Sequence, residues 1–433
     1  MTRNFWLLFI LILGLVFVGL FSVNNGPMLL AIPLLVYLGF AIPYMPSDPQ
    51  LKANRELSTH DSSWGKPIDI KVTVVNEGKA LEEIYLIDYV QGSRSLNIIT
   101  GGLSKRLPLL SGESVEIAYT VSGQRGRYKF EGVQIQTYEL FGLFESVRFI
   151  PAHAKLVIFP DVFKLRQIKI RPRQTRGFAG PILARQGGAG TDFFGVREYQ
   201  LGDPLRRINW KVSSRYPQSL FTNESEQERI ADVGLILDAR QQCDVTTKEG
   251  TLFEHSVIAA ASLADAFLRD GHRVGLYVYG YSVERVFPGY GKIQRENILR
   301  VLSRAHTGIN FALENLNFLS TRFFSPNSQL VMVSPLKSDD LGPLIRLHSM
   351  GYEILIVSPN PVHYEAAKFN KGKNPELDSA IRLAMIERTL LIRKLRRVGI
   401  QVIDWQVSVS LDQVIYKAVH RQPAGVRILQ IAS

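Results

Sequence analysis

The 433-residue sequence has few of the residues that build disulfide frameworks or transition-metal sites. It contains one cysteine, Cys243, so no disulfide can form within the chain and a cysteine-based metal site is excluded. Its eight histidines are scattered, with no pair at the spacing that puts two ligands on one helix face. A P-loop, a dinucleotide-binding glycine motif and the Gly-x-Ser-x-Gly turn of serine hydrolases are also absent. We therefore expect no cofactor, no metal and no catalytic residue.

Charge is missing from almost the whole N-terminal segment. Residues 5–23 and 28–44 carry no charged side chain, and a polar turn at 24–27 separates them. The first run is long enough to cross a bilayer of about 30 Å, and the second is near the short end of the spanning range. Residues 1–50 are therefore predicted to form a transmembrane helical hairpin. A signal peptide is the alternative for the first run, and a re-entrant segment is the alternative for the second.

The charges that flank this hairpin predict its orientation. Arg3 precedes the first run, Lys52 and Arg55 follow the second, and the turn between them has no positive charge. Because positive residues favour the cytoplasmic side, both ends of the hairpin and all that follows are predicted to be cytoplasmic. The expected localisation is the cell membrane, with two spanning helices and the bulk of the chain in the cytoplasm.

Lys and Arg outnumber Asp and Glu, 51 to 39, which gives a formal net charge of +12 and favours anionic binding partners. The excess is concentrated in residues 161–186, where seven Lys or Arg face the single acid Asp161. We interpret 161–229 as a basic linker followed by a motif segment. The linker is either a solvated connector or an arm that contacts anionic lipid or an acidic partner. Nucleic acid is disfavoured as a ligand of the linker, because Phe163 and Phe178 are the only aromatic residues in 161–186 that could stack on bases.

Two folded domains are predicted on either side of this linker. In residues 51–160, apolar residues alternate with polar ones, as from 68 to 74, which predicts a β-sandwich of immunoglobulin-like type. In residues 230–433, short apolar strands alternate with helical patterns, which predicts a doubly wound α/β domain. Gly271 and Gly351 each follow an apolar helix and are expected to cap it.

The stretch 187–215 combines a glycine-rich entry, aromatic residues and balanced charge. Leu205, Ile208 and Val212 are at helical spacing, which predicts a helix over 205–212. The alternatives for the stretch are a structural latch held by ion pairs, a surface that docks a partner, and, least favoured, a catalytic site. The candidate residues are Arg197, Tyr199, Gly202, Asp203, Arg207, Trp210 and Arg215.

Residues 197–215 resemble the central motif of the domain of unknown function 58 family, R-x-Y-x-x-G-D-x-x-R-x-I-x-W-x-x-S-A-R. Asn209 and Ser214 depart from it, standing where an acidic residue and Ala are usual. Residues 125–144 resemble a second stretch of the same family. The resemblance implies that residues 230–433 form a von Willebrand factor type A-like domain, and that the protein works beside an AAA ATPase of the MoxR type.

A type A domain often binds a divalent ion through a D-x-S-x-S motif, a Thr and an Asp from three loops. In this sequence Asp238 is followed by Arg240 and Gln242 where the two serines would stand. Thr307 can fill the second position, and Ser334 ends the third strand without an Asp. We therefore predict a degenerate site in which Asp238 caps a turn or pairs with Arg240. Asp339 and Asp340 can rescue the site if their loop folds back.

These observations predict a membrane-tethered, non-enzymatic adaptor that works with a MoxR-type ATPase in complex assembly or envelope maturation. One alternative is a protein that binds an anionic ligand, either lipid or nucleic acid, through its positive surface. A second alternative is an uncharacterised hydrolase, because the sequence holds many carboxylates that a fold can bring together.

Overall fold

The structure, a computed structural model, describes residues 2–21, 26–44, 49–91, 96–138, 141–166, 168, 182–216, 218–247, 250–313, 316, 323–325, 328–367 and 375–420. Residues 24 and 25 of the turn predicted at 24–27, and most of the basic linker, residues 167 and 169–181, lie outside these ranges. The other two residues of that turn, Gly26 and Pro27, begin the second apolar helix instead. The chain divides into two compact units, Met1–Phe159 and Pro160–Ser433. Unit 1 contains the predicted hairpin and the β domain, and unit 2 contains the linker, the motif segment and the α/β domain.

Unit 1 begins with two apolar helices, α1 (Arg3–Phe21) and α2 (Gly26–Ala41), followed by a 3-10 turn at Ile42–Tyr44. In the described part of the chain, α1 is the one helix that is long and apolar enough to cross a membrane. Helix α2 has 16 residues, is equally apolar and contains Pro33. Both helices are apolar on all sides, with most of their large side chains exposed, which is typical of helices that contact lipid.

Two β-sheets enclose the core of unit 1. One has the order β1-β3-β7-β5, and the other has the order β2-β9-β8-β4-β6. The strands are β1 (Leu51–Leu57), β2 (Asp61–Ser63), β3 (Ile68–Asn76), β4 (Leu81–Gln91), β5 (Leu96–Gly101), β6 (Ser104–Leu109), β7 (Ser114–Gly123), β8 (Gly126–Tyr138) and β9 (Glu145–Phe159). The alternation predicted for residues 68–74 of β3 is confirmed, because the apolar side chains at 68, 70, 72 and 74 are at most 1% exposed and belong to a core cluster with residues from both sheets.

A buried ion pair connects the two sheets. Arg55 on β1 pairs with Asp88 on β4, and both side chains are inaccessible to solvent. The second oxygen of Asp88 accepts a hydrogen bond from the Tyr119 hydroxyl at 2.5 Å, and Arg55 Nη1 donates to the carbonyl of Ala152 at 2.6 Å. Arg55 is therefore part of the core and not a free charge beside the membrane. The predicted orientation of the hairpin consequently depends on Arg3 and Lys52.

Unit 2 begins with an antiparallel ribbon of β10 (Ile182–Glu198) and β11 (Phe221–Arg229). The register of the pairing shifts three times between Ala184 and Gly195. The glycine-rich part of β10 therefore contains repeated β-bulges. The linker and motif segment predicted for 161–229 therefore contain a β-ribbon that the glycine-rich sequence did not indicate, since glycine is rare in regular strands.

The rest of unit 2 is a six-stranded sheet of order β16-β15-β12-β17-β18-β19, in which only the edge strand β16 is antiparallel. The strands after β11 are β12 (Asp232–Ala239), β13 (Thr246–Thr247), β14 (Gly250–Thr251), β15 (Arg273–Gly280), β16 (Glu284–Gly289), β17 (Gln329–Val333), β18 (Glu353–Pro359) and β19 (Gln401–Trp405). The short strands β13 and β14 form a separate hairpin.

Helices accompany this sheet, as the alternating sequence pattern predicted. They are α3 (Trp210–Ser213), α4 (Leu252–Arg269), α5 (Gly291–Arg304), α6 (Leu341–Ser349), α7 (Pro361–Ala366), α8 (Pro375–Arg397) and α9 (Leu411–His420). Helices α6 and α8 pack on one face of the sheet, in a cluster that includes Ile236, Ile356, Leu344 and Leu395. The predicted helix ends are confirmed, since Gly271 and Gly351 have φ of 81° and 95° directly after α4 and α6.

Candidate functional site

The parallel strands of unit 2 all end at the same edge of the sheet. The order of the strands changes direction at β12. After β12 the chain places β15 on one side, and later it places β17 on the other side. The carboxyl ends of β12 and β17 therefore flank a topological switch point, where open α/β sheets form a crevice for ligands. We call residues 238–244, 306–311 and 334–340 the rim.

A guanidinium group fills this crevice. Arg240 is 3% exposed, and its Nε and Nη2 donate to the two carboxylate oxygens of Asp238 at 2.9 and 2.7 Å. Its Nη1 and Nη2 also donate to the two oxygens of Asp340, both at 2.9 Å. One planar cation thus makes bidentate contacts with two carboxylates, which is the strongest form of this pairing. The space between the carboxylates is occupied by the protein's own positive charge.

Hydroxyl and backbone donors fix both carboxylates. Ser334 Oγ donates to Asp238 at 2.6 Å and accepts the backbone N–H of Leu336 at 3.1 Å. The N–H of Lys337 donates to Asp340 at 2.9 Å. Leu336 has a φ of 63°, the one positive φ of a non-glycine residue in the described ranges. A side chain adopts this conformation only where its surroundings impose it, so the loop after β17 is shaped by the ion cluster.

The burial of this cluster determines its protonation. Burial raises the pKa of the Asp340 carboxyl, and the Arg240 guanidinium opposes that shift. Burial also acts to lower the pKa of Arg240, but its hydrogen bonds to Asp238 and Asp340 outweigh this and keep the pKa above its usual value. Burial raises the pKa of the nearby Cys243 thiol. Cys243 is therefore held as a neutral thiol and is a poor nucleophile.

Asp238 and Ser334, two of the three predicted positions, meet in this cluster, and the third does not. The Thr307 hydroxyl donates to Asp244 at 3.3 Å instead. Asp340 returns to the crevice, the arrangement expected to rescue a metal site, whereas Asp339 remains exposed. Sequence reasoning could place Asp340 shortly after β17, but it could not show that Asp340 would meet Arg240.

Because Arg240 occupies the crevice, we expect millimolar Mg²⁺ or Ca²⁺ to give no saturable heat when titrated into the detergent-solubilised full chain. A divalent ion would have to displace a guanidinium held by four charge-assisted hydrogen bonds. Isothermal titration calorimetry measures this directly.

The matched variant is Arg240→Ser, which removes the cation and adds a hydroxyl beside Asp238 and Asp340. It should gain a saturable divalent-ion signal that the parent chain lacks. A signal in the parent chain that disappears in Asp238→Ala would contradict the expectation.

A shallow cavity of about 270 Å³ opens on the rim. The residues that line it include Arg240, Gln242, Ile309 and Phe311. Phe311 is 83% exposed, which is unusual for a side chain of this size. The rim therefore presents an apolar, concave surface next to a closed ion cluster.

The motif segment, residues 197–215, is held by an ion pair at its start. Arg197 Nη1 and Nη2 donate to the two oxygens of Asp203 at 2.8 and 2.7 Å, and the N–H of Gln200 donates to Asp203 at 2.9 Å. These hydrogen bonds, with that of Arg197 first, hold the pKa of Asp203 below its usual value. Gly202 has a φ of 107°, which the turn requires. The candidate residues Arg197, Gly202 and Asp203 therefore form a fixed turn.

The second half of the segment is tied to β11. The helix predicted over 205–212 is wrong: a 3-10 turn at Leu205–Arg207 is followed by the short helix α3. Ile208 interrupts the helical pattern, because its backbone is extended and forms a β-bridge with Thr222 on β11. Asn209 then accepts the N–H of Val212 at 3.1 Å and donates to Asn223 at 2.7 Å. Pairing with the ribbon thus overrides the local helical pattern.

Two candidate residues of the segment, Trp210 and Arg215, face solvent, as do two neighbouring leucines. Trp210 is 68% exposed, Leu201 is fully exposed, and Leu205 and Arg215 are exposed as well. The remaining two are half-buried: the N–H of Tyr199 donates to the carbonyl of Leu220, and the carbonyl of Arg207 accepts the Thr222 hydroxyl. The hydrogen bonds and ion pairs described for the segment all stay within residues 197–224, so it folds on itself rather than latching onto a distant element.

One buried arginine was not identified from the sequence. Residues 382–397 hold six Lys or Arg beside an apolar stripe, a pattern that predicts a basic surface helix, yet Arg388 on α8 is 7% exposed. Its guanidinium donates to Asp404 at 2.8 Å, to Ser358 Oγ at 2.8 Å and to the carbonyl of Pro335 at 2.7 Å. It therefore joins the ends of β18 and β19 to the loop after β17. The only sequence signal was the carboxylate at the end of β19.

Known proteins share parts of this sequence. The chain is 29% identical over 262 residues to the "Uncharacterized protein YeaD" of Bacillus subtilis (strain 168), which covers 58% of this chain and 61% of that protein's length. Solved structures similar to parts of the chain include the CARDB domain of the PF1109 protein from Pyrococcus furiosus, at 15% identity, with 26% of this chain and 91% of that one covered and a TM-score of 0.18. A cohesin from Archaeoglobus fulgidus matches at 14% identity, with 25% and 91% covered and a TM-score of 0.16.

The family resemblance inferred from the motif segment is confirmed for the part of the chain that contains that segment. The type A domain and the MoxR association remain predictions. Over residues 195–361, the chain matches the model of the family described as DUF58, "Protein of unknown function DUF58".

Proposed function

We propose that this protein is a membrane-anchored, non-enzymatic adaptor that binds a protein partner through unit 2 without a metal ion. The apolar helix α1 supports the anchor, together with the shorter helix α2. Arg3 and Lys52 at the hairpin ends support a cytoplasmic position for both units. The resemblance of the motif segment to its family suggests a MoxR-type AAA ATPase as the partner.

The sheet of unit 2 supports the type A-like assignment. Five parallel strands are flanked by one antiparallel edge strand, and the switch point lies between β12 and β17. Asp238 and Ser334 lie at that switch point, where such domains commonly bind a divalent ion. In this chain Arg240 supplies the positive charge instead. A partner would therefore meet a surface whose shape does not depend on metal supply.

The observation that carries the proposal is the exposure of Leu201, Leu205 and Trp210 on a rigid support. Isolated exposed leucines are ordinary, but a Trp and two Leu on a turn fixed by hydrogen bonds are not. Interface hot spots are enriched in Trp and Arg, and rigid anchors lose little entropy on binding. Arg206, Lys211 and Arg215 are exposed and lie within five residues of Trp210 in sequence, and their positive charge favours an acidic surface on the partner.

We expect Trp210→Ala to weaken binding of the MoxR-type ATPase by about 30-fold, the loss typical of a hot-spot residue worth about 2 kcal/mol. The full chain, solubilised in detergent, is titrated with the purified ATPase of the same organism in the presence of EDTA. Biolayer interferometry gives the dissociation constant, and the melting temperature of each variant is recorded in parallel.

Tyr290→Ala is the matched control, because Tyr290 belongs to unit 2 and is also 68% exposed. It should bind like the parent chain. If Trp210→Ala lowers the melting temperature by several degrees and weakens binding only because less protein is folded, the segment is a structural latch. Binding to anionic vesicles instead of the ATPase, with a steep loss in salt, would favour the anionic-ligand alternative.

A further inference from the structure

A turn of the β domain in unit 1 is fastened to both apolar helices. Thr2 Oγ1, at the start of α1, donates to the carbonyls of Gly142 and Leu143 at 2.8 and 3.0 Å. The hydroxyl of Tyr37 on α2 contacts the carbonyl of Phe141 at 3.3 Å. Residues 141–144, which connect β8 to β9 and which we call the wedge, therefore contact the first turn of α1 and the last turns of α2.

Apolar packing reinforces these hydrogen bonds. Leu143 and Phe144 are at most 4% exposed, in a cluster with Ala41 that is extended by partly buried Phe5 and Leu8. The rings of Phe5 and Phe144 are 5.3 Å apart. Residues from α1, α2 and the wedge thus form one continuous apolar contact. Beyond the wedge, Val147 and Phe149 on β9 are each about half exposed.

The lengths of the helices determine how deep this contact lies. At 1.5 Å per residue, the 19 residues of α1 span about 28 Å and the 16 residues of α2 span about 24 Å. The hydrocarbon core of a bilayer is about 30 Å thick. Neither helix has length to spare, so its terminal turns must lie at or inside the boundary of the hydrocarbon. Leu8 and Leu38, which contact the wedge cluster, lie within those turns.

We propose that the wedge is a third membrane-contacting element, seated in the interfacial region of the cytoplasmic leaflet, with phospholipid as its partner. This inference depends on the membrane anchor of the proposed function. Phe141 and the exposed neighbours Val147 and Phe149 supply the apolar surface that faces lipid, at the depth where aromatic side chains are favoured. The wedge also lengthens the apolar surface at the end of α2, the shorter helix, where the mismatch with the bilayer is larger.

A lipid contact at the wedge adds to the anchoring that the two helices provide, and so limits how far the β domain can tilt on the membrane. The strand order places the turns between β3 and β4 and between β6 and β7 at the same end of the domain as the wedge. That end carries the exposed Leu110, so it too is compatible with the interface.

The experiment places a fluorophore at each end of the β domain of the full chain in phospholipid vesicles. Glu145→Cys carries the label beside the wedge, and Gln124→Cys carries it in the turn between β7 and β8 at the opposite end. Both native side chains are exposed and polar, so neither change disturbs the core. Cys243 is buried and its thiol pKa is raised, so it stays unlabelled.

We expect lipids that carry a nitroxide at carbon 5 to quench the label at 145 at least about threefold more than the label at 124. Aqueous iodide should show the opposite order. Equal quenching of both labels by iodide would overturn the proposal. A label at 145 that is shielded from both quenchers would also overturn it, because a protein surface would then cover the wedge.

Alkaline carbonate extraction separates this inference from the proposed function. If the chain leaves the membrane in carbonate, the anchor itself is wrong and the wedge falls with it. If the chain stays in the membrane while the label at 145 is open to iodide, the anchor stands and the wedge alone is refuted.

Discussion

Replacing Arg240 by alanine is expected to lower the free energy of unfolding of unit 2 by about 3–5 kcal/mol, the usual cost of removing one partner from a buried ion pair. The change leaves two carboxylates, Asp238 and Asp340, inside the crevice without a counter-charge. Ser334 and backbone donors of the rim would still bind them, without supplying a charge. One of the carboxyls should then take up a proton, because burial already raises the pKa of Asp340.

Hydrogen exchange of peptides from β12 and β17 in the full chain measures this loss. The matched control is Arg300→Ala, which removes an exposed helical pair with Glu296 and should change stability by about 0.5 kcal/mol or less. Replacing Asp238 and Asp340 by Asn in the Arg240→Ala background should recover most of the loss. If the single variant Arg240→Ala is as stable as the parent chain, the ion cluster does not stabilise the rim.

Replacing Arg55 by leucine should destabilise the β domain of unit 1 by a similar amount, about 3–5 kcal/mol at neutral pH. The guanidinium pairs with Asp88, donates to the carbonyl of Ala152 and stacks on the ring of Phe130, 4.9 Å from its centre. Leucine keeps much of the apolar volume but leaves the Asp88 carboxylate buried, with the Tyr119 hydroxyl as its remaining side-chain partner in the described structure.

The pH dependence of this variant has a definite sign. Burial raises the pKa of Asp88 even in the parent chain, where Arg55 opposes the shift, so loss of Arg55 must raise it further. A folded state with a raised carboxyl pKa binds its proton more tightly than the unfolded chain does. The deficit relative to the parent chain is therefore largest above the folded-state pKa and shrinks as the pH falls through it.

Hydrogen exchange of peptides from β3 and β8 measures the deficit, and the parent chain at each pH is the reference. The double variant Arg55→Leu, Asp88→Asn should recover stability at neutral pH. A deficit that does not depend on pH would mean that lost packing, and not the uncompensated charge, destabilises the variant.

The sequence was most informative where a pattern is local. The alternation in β3, the charge-free runs of the helices and the caps at Gly271 and Gly351 each depend on neighbouring residues, and the structure contains all of them. At the rim, comparison with the D-x-S-x-S motif shows that Arg240 stands where the first serine is usual. It predicted that Asp238 would cap a turn or pair with Arg240, and Asp238 does both, because it accepts the backbone N–H of Arg240 at 3.1 Å and also binds the guanidinium.

Long-range contacts could not be predicted in this way. Asp340 reaches Arg240 from a loop 100 residues away in sequence, and Arg55 meets Asp88 across two sheets. The helix expected over 205–212 was wrong because Ile208 pairs with Thr222, a contact that no local period reveals. Such pairings depend on the register of distant strands, which the hydrophobic pattern of one segment does not specify.

The strand order of unit 2 has a consequence for synthesis of the chain. The central strand β12 pairs at Val233 with Val274 on one side and with Gln329 on the other. At about 5–20 residues per second, a ribosome needs roughly 5–20 seconds to make the residues that separate β12 from β17. The strands of unit 1 are complete before β12 is made. For that interval β12, whose residues 233–237 are all apolar or glycine, lacks its second neighbour, so this part of the nascent chain needs protection by chaperones.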